Sequence, residues 1–161
     1  MVELSIIILS YNTNDLLKSC LDSLFTHLPK NTEVIVVDNA STDQSAAMVK
    51  KNFPNISLIE NAKNVGFASG INIGVGKARG KYVLLLNSDA MVQDDSLTDM
   101  IAFAEKTPDA AVVGGMFVNK DGTIQRSFGK FYTPIAVTRM LIFGDKAELS
   151  GHAISRPPKS G

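Results

Sequence analysis

Apolar positions along this chain follow two rhythms, short unbroken runs and helical stripes, and they take turns. Glu3–Leu9 is a β-rich, apolar run that predicts a buried strand. Asn14 then opens a helix whose apolar positions Leu16, Leu17, Cys20, Leu21, Leu24, Phe25 and Leu28 keep to one face, until Pro29-Lys30-Asn31 breaks it. Glu33–Val37 predicts a second strand. Ser41-Thr42-Asp43-Gln44 has the spacing of a capping box and predicts a helix to about Phe53, ended by Pro54. Ile56–Ile59 is a third strand, Gly66–Ala78 a helix rich in small residues, and Lys81–Leu86 a fourth strand that also reads as buried. Asp95 or Ser96 caps a helix through Lys106, and Asn119-Lys120-Asp121-Gly122 joins Ala111–Phe117 to Thr123–Phe128 as a hairpin.

Strands alternating with helices through residue 110 predict an α/β fold, a Rossmann-like, mostly parallel sheet with flanking helices. The domain is expected over residues 1–130. Beyond it, residues 134–143 are mostly apolar with a single charge, and 144–161 read as a loose tail. Residues 131–161 are therefore expected to lead toward a further, acceptor-binding part, which makes the fold C-terminally incomplete. The apolar segment 134–143 would pack against that part or against a second copy of itself.

Charge and cysteine usage narrow the choices. The 161 residues carry sixteen basic and sixteen acidic side chains, so the general attraction expected of a nucleic-acid binder is missing. Residues 122–161 hold six Lys/Arg against two Asp/Glu, a bias that suits an anionic partner such as a phosphate or lipid surface and equally a solvated tail. Cys20 is the single cysteine, which rules out an internal disulfide and a cysteine-based metal cluster. With no apolar run of bilayer length and no basic leader, the expected location is cytoplasmic, with peripheral contact at the inner face of the membrane as a further expectation.

In an open α/β sheet, ligands bind outside the carboxyl ends of the strands. The four exits here are all polar: Ser10-Tyr11-Asn12, Asp38-Asn39, Glu60-Asn61 with Asn64 close behind, and Asn87-Ser88-Asp89. An aromatic ring, amides, carboxylates and helix N-termini at one edge suit a nucleoside diphosphate held through a divalent cation. Carboxylate and diphosphate repel each other unless a hard cation stands between them, and Mg2+ or Mn2+ takes one or two carboxylates together with phosphate oxygens. Asp89 is the expected metal ligand; as a lone residue it reads equally well as a turn former. Asp38 is placed to accept from a base or sugar, with a helix-leading cap as the plain alternative, and Tyr11 to stack on a base or to cover the core. Gly66, Gly70, Gly74 and Gly76 cost a helix about 1 kcal/mol each against alanine, which predicts a close approach to ligand or sheet. Neither the dinucleotide glycine fingerprint nor a P-loop is present.

These segments, SIIILSYN (Ser5–Asn12), VVDNASTD (Val36–Asp43) and NVGFASGINIGVGKARGKYVLLLNSDA (Asn64–Ala90), resemble the N-terminal half of glycosyltransferase family 2, of GT-A fold, over roughly residues 3–130. The NVGFA and LLLNSD forms are most similar to its rhamnosyltransferase-like branch, which builds surface polysaccharides. The resemblance implies that Tyr11, Asn12 and Asp38, with Asn39 beside them, hold the base. Asn64 and Gly66 would lie by the nucleotide-sugar, and Asp89 would bind the metal. Asn87 stands where the first Asp of a D-x-D-type motif is usual, leaving one direct carboxylate ligand. It also implies an inverting transfer from a UDP-, dTDP- or GDP-linked sugar to a saccharide or lipid-linked acceptor. The catalytic base of such enzymes is a carboxylate of a later motif. Residues 131–161 do not contain that motif, so the base is expected beyond Gly161 and little turnover is expected of this chain alone. A sugar-phosphate nucleotidylyltransferase would need a glycine- and arginine-rich loop after the first strand, which Ser10–Asp15 does not supply. A non-catalytic nucleotide-binding or assembly module remains the other alternative.

Overall fold

A computed structural model describes residues 1–119 and 121–125; segments 134–143 and 144–161 lie outside the described residues. Its elements are β1 (Leu4–Ser10), α1 (Asn14–Thr26), β2 (Thr32–Asp38), α2 (Ser45–Asn52), β3 (Ser57–Glu60), α3 (Phe67–Val75), β4 (Tyr82–Asn87), α4 (Ser96–Lys106), and the short strands β5 (Phe117–Val118) and β6 (Ile124–Gln125). Residues Met1–Val113 form one compact unit. Its sheet has the order β3-β2-β1-β4 with every pair parallel, which is the expected α/β architecture.

The unbroken apolar runs follow from a sheet covered on both faces. Along β1 and β2, Ile6, Ile8, Val34 and Val36 point to one face, where Leu17, Cys20, Leu21 and Leu24 of α1, Val49 of α2 and Leu97 of α4 complete a core. Ile7, Ile35 and Val37 point the other way and meet Ile71 of α3. Two of the four conspicuous glycines make that second contact. A Cβ on Gly70 would stand 2.5 Å from Leu9 Cδ1, and one on Gly74 would run into Ile7 Cγ2 and lie 3.2 Å from Val37 Cγ2. Gly66 has φ +83° and opens the helix. Gly76 approaches only its own helix at ordinary contact distance, so the expectation of close packing does not extend to it.

Three local expectations are corrected. The α1 stripe is narrower than its sequence: Leu16 is exposed, and Phe25 is partly exposed and stacks on Phe53 with ring centroids 5.5 Å apart. Helix α2 begins at Ser45 rather than at Ser41, because the Ser41 hydroxyl accepts the Asn12 N–H across the rim and Asp43 accepts the Ser45 N–H instead. Strand β4 is not buried on both faces. Like β3, it is an outer strand among the described residues, and Val83 and Leu85 are 44% and 52% exposed, while Leu84 and Leu86 pack on the core.

The described part of the second unit, from Gly114, contains the expected hairpin in shortened form. Phe117–Val118 pairs antiparallel with Ile124–Gln125, and Gly122 takes φ +82° in the turn.

Candidate functional site

Strand order brings the polar exits together. From β1 the chain steps outward to β2 and β3, then crosses to the opposite side of β1 for β4, so the switch point lies between β1 and β4 at their carboxyl ends. Register aligns the last residues: Ser10 faces Asp38, Leu9 faces Asn87, and Asp38 faces Glu60. All four exits thus stand on one rim.

The loop after β1 carries Tyr11, whose ring is exposed, and Asn12, whose backbone is in the left-handed region at φ 53°. Asn12 is tied to the loop after β2: its N–H donates to Ser41 Oγ at 3.0 Å, and its Oδ1 accepts the Thr42 N–H at 2.8 Å. Asp43 fastens the same two loops. Its carboxylate accepts the Asn14 N–H at 2.8 Å and the Ser45 N–H at 3.1 Å, the first residues of α1 and α2. Burial alone would raise the Asp43 carboxyl. The Ser45 hydroxyl and the two amides outweigh that and hold it below the usual aspartate range.

Asp38 is 4% exposed. Its Oδ2 accepts the Ser41 N–H at 2.9 Å, whereas its buried Oδ1 has no partner among the described residues. A buried carboxylate oxygen left without a donor is costly, and native proteins rarely leave one so. Asn39, 2% exposed, is the opposite case. Its Oδ1 accepts from Asn61 Nδ2 and the Val65 N–H, and its Nδ2 donates to Asn64 Oδ1 and the Gly66 carbonyl. Asn39 therefore braces the loop that leads into α3, and Asn64 Oδ1, which also accepts the Gly66 N–H, is part of that brace. The hydrogen-bonding capacity expected to face a ligand is largely used inside the protein at both asparagines.

Asp89 stands exposed one turn beyond β4. The two residues before it are held from α1 and from the residue preceding that helix: Cys20 Sγ donates to the Asn87 carbonyl at 3.6 Å, and Thr13 Oγ1 donates to Ser88 Oγ at 3.3 Å. Burial, with the Asp89 charge adding to it, pushes the Cys20 thiol up to about 11. Cys20 is thus core, as its helical stripe predicts, and also a prop under the tripeptide. Thr13, Ser88 and Asp43 were not singled out by sequence reasoning as site residues. Only the position of Thr13 directly before a helix start offered a signal, and that signal points to capping. The catalytic base expected beyond Gly161 lies outside the described residues.

No group of three or more His, Cys, Asp and Glu side chains gathers among the described residues. A single exposed carboxylate on a strand end does not make a resident metal site, but it fits a hard cation that arrives with phosphate oxygens as its other ligands. A hollow of about 650 Å³ runs along β4 and α4 and is lined mainly by apolar side chains such as Leu84, Leu97 and Met100. It lacks the polar convergence of the rim. A shallower one of about 580 Å³ lies on the rim itself, bounded by Asn12, Thr13, Asp15, Asp43 and Gln44.

Known proteins resemble this chain in sequence and in fold. Over 130 residues the chain is 30% identical to the succinoglycan biosynthesis protein ExoO of Rhizobium meliloti, covering 80% of this chain and 37% of ExoO. The crystal structure of Staphylococcus aureus TarS 1-349 in complex with UDP-GlcNAc superposes with TM-score 0.61 at 30% identity, over 66% of this chain and 32% of TarS. The mannosyltransferase PcManGT from Pyrobaculum calidifontis, in complex with GDP-Man and Mn2+, gives TM-score 0.58 at 28% identity, over 70% of this chain and 34% of its own. The chain spans roughly a third of the length of these relatives. The family profile described as Glycosyl transferase family 2 matches residues 5–154. The chain has the GT-A fold and belongs to glycosyl transferase family 2.

Proposed function

We propose that this chain is the donor-binding part of a metal-dependent glycosyltransferase. The whole protein would pass a sugar from a nucleoside diphosphate to a saccharide or lipid-linked acceptor in cell-surface polysaccharide biosynthesis, with inversion at the anomeric carbon. The observation that carries this reading is Asp38 Oδ1, a buried acceptor without a donor at the switch-point rim. An N–H on the edge of a nucleobase supplies the missing donor. Because Oδ2 is already taken by the Ser41 N–H, one oxygen remains, which suits the single imide N–H of uracil or thymine better than the paired donors of guanine. UDP and dTDP are thus favoured over GDP.

Tyr11 covers the base from the loop after β1, while the Asn39 brace fixes Gly66 and the start of α3 where the sugar-diphosphate would lie. Asp89 is the residue that would hold Mg2+ or Mn2+, with Asn87 beside it as a neutral neighbour. When bound, the ion neutralises the diphosphate so that it can depart. The protein's own part is positional: strand ends hold base, sugar and diphosphate in one line, which lowers the entropic cost of in-line attack by an acceptor. Residues 131–161 contain no later carboxylate motif of the kind the family uses as base, and in this reading that base comes from beyond Gly161. The chain alone is therefore proposed to bind donor with little turnover.

Isothermal titration of the purified chain with UDP, dTDP and GDP, with and without Mn2+, tests the reading. UDP binding should strengthen with Mn2+, and Asp89→Ala should remove that increment while leaving metal-free binding in place. Binding indifferent to Mn2+, or an Asp89→Ala chain that keeps the full increment, overturns it in favour of a non-catalytic module.

A further inference from the structure

We propose that Thr13 is a positioning residue that locks the base-side loop to the Asn87-Ser88-Asp89 tripeptide, so that nucleobase and metal-bound diphosphate are gripped in one fixed arrangement. This rests on the donor-binding reading above.

Thr13 occupies the position before the first residue of α1, where a threonine hydroxyl ordinarily accepts an N–H of the first helical turn. Here it makes no such bond. The Asn14 N–H goes to Asp43, and the Thr13 hydroxyl is engaged with two other hydroxyls. It lies 2.9 Å from Ser10 Oγ and donates to Ser88 Oγ at 3.3 Å. Since Thr13 has one proton and gives it to Ser88, Ser10 is the donor in the first contact, and the three hydroxyls form a directed chain, Ser10 to Thr13 to Ser88.

The location gives this chain its meaning. The backbone ladder between β1 and β4 ends at the pair Leu9 and Asn87. Past that pair, Tyr11 and Asn12 follow β1 and Asp89 follows β4. Among the described residues, the Thr13 side chain joins the two loops directly, across 75 positions of sequence, beyond the last strand pair. The Thr13 bond adds to the hold that Cys20 of α1 has on Asn87, and it is made from the base-side loop itself. A base bound by one loop and a diphosphate bound by the other require the separation of the two to be constant, and a fixed spacing is what preorganisation supplies.

The test is a titration of the 161-residue chain with uridine, and with UDP in the absence and presence of Mn2+. In Thr13→Val the loss should appear in the Mn2+ increment of UDP binding, reduced about fivefold, rather than in uridine affinity; that is the scale of one neutral hydrogen bond. Thr13→Ser should restore the increment. Ser88→Ala, which removes the same bond from the other side, should lose as much as Thr13→Val, and the double variant no more than either alone. Equal weakening of uridine and UDP, an unchanged increment, or additive losses overturn the proposal. Should Thr13→Val fail to fold, Ser88→Ala with Thr13→Ser carries the comparison, and the same outcomes support or overturn it. Wild-type chain that binds UDP without regard to Mn2+ refutes the functional reading before any variant is made; a normal wild-type increment with an unaffected Ser88→Ala refutes this proposal alone.

Discussion

Replacing Asp38 by asparagine should move binding and stability in opposite directions. In the folded chain Oδ2 accepts the Ser41 N–H at 2.9 Å while the buried Oδ1 lacks a donor. An asparagine there must turn its carbonyl oxygen to the Ser41 N–H, which leaves its NH2 where Oδ1 stood. An incoming base N–H then meets a donor rather than an acceptor. A hydrogen bond to a charged acceptor contributes about 1.5–3 kcal/mol, so UDP binding should weaken by about 10- to 150-fold. The ligand-free protein gains, because a buried charge with one unpaired oxygen is replaced by a neutral group. That is worth up to about 1 kcal/mol, a rise of a few degrees in Tm. Titration and thermal melting of one preparation read both quantities. UDP affinity within twofold of the wild type would refute the base contact. A Tm lowered by more than about 5 °C together with lost binding would make Asp38 a structural brace instead.

Two further substitutions probe the frame around the site. Gly74→Ala should destabilise by about 1–3 kcal/mol, because its methyl runs into the stiff, branched side chains of Ile7 and Val37. Gly70→Ala, which meets the movable end of Leu9, should cost less in the same denaturant titration, and equal costs would count against close helix-to-sheet packing. Glu33 accepts from the Ser5 hydroxyl at 2.6 Å and from the Arg79 amide and guanidinium at 2.7–3.0 Å. Burial raises its carboxyl, but the Ser5 and Arg79 bonds outweigh this and hold it below the usual glutamate range. A depressed carboxyl contributes stability that is complete above the unfolded value and disappears as pH falls through the folded one. As pH falls from about 5 to about 2, melting profiles should therefore drop more steeply for wild type than for Glu33→Gln, whereas parallel profiles would remove Glu33 from the account.

Much of this was legible in the chain because the physics involved is local and periodic. Buried parallel strands need continuous apolar runs, and β1 and β2 have them. The four polar exits could be placed on one rim without coordinates, since all ladder pairs are parallel and strand ends coincide. What the sequence hid was partnership. Ser41 has the capping-box spacing, and only the packing of one loop on another decides that it serves Asn12 while Asp43 accepts the Ser45 N–H at the start of α2. Asn39 and Asp38 are adjacent polar residues with the same apparent role, yet one is saturated by protein donors and acceptors and the other is left short of a donor. The exposure of Val83 and Leu85 was equally invisible, because VLLL reads the same in an outer strand as in a central one.

That outer strand has a practical bearing. Between Tyr82 and Asn87, β4 carries neither a proline nor a charge, the devices by which proteins usually discourage a bare edge from templating its neighbours. With a formal net charge of zero at pH 7, the molecules have little mutual repulsion to keep such edges apart. Among the described residues β4 thus offers copies of the chain an uncharged edge to pair on, and buffers that move the solution away from neutrality should keep the chain dispersed.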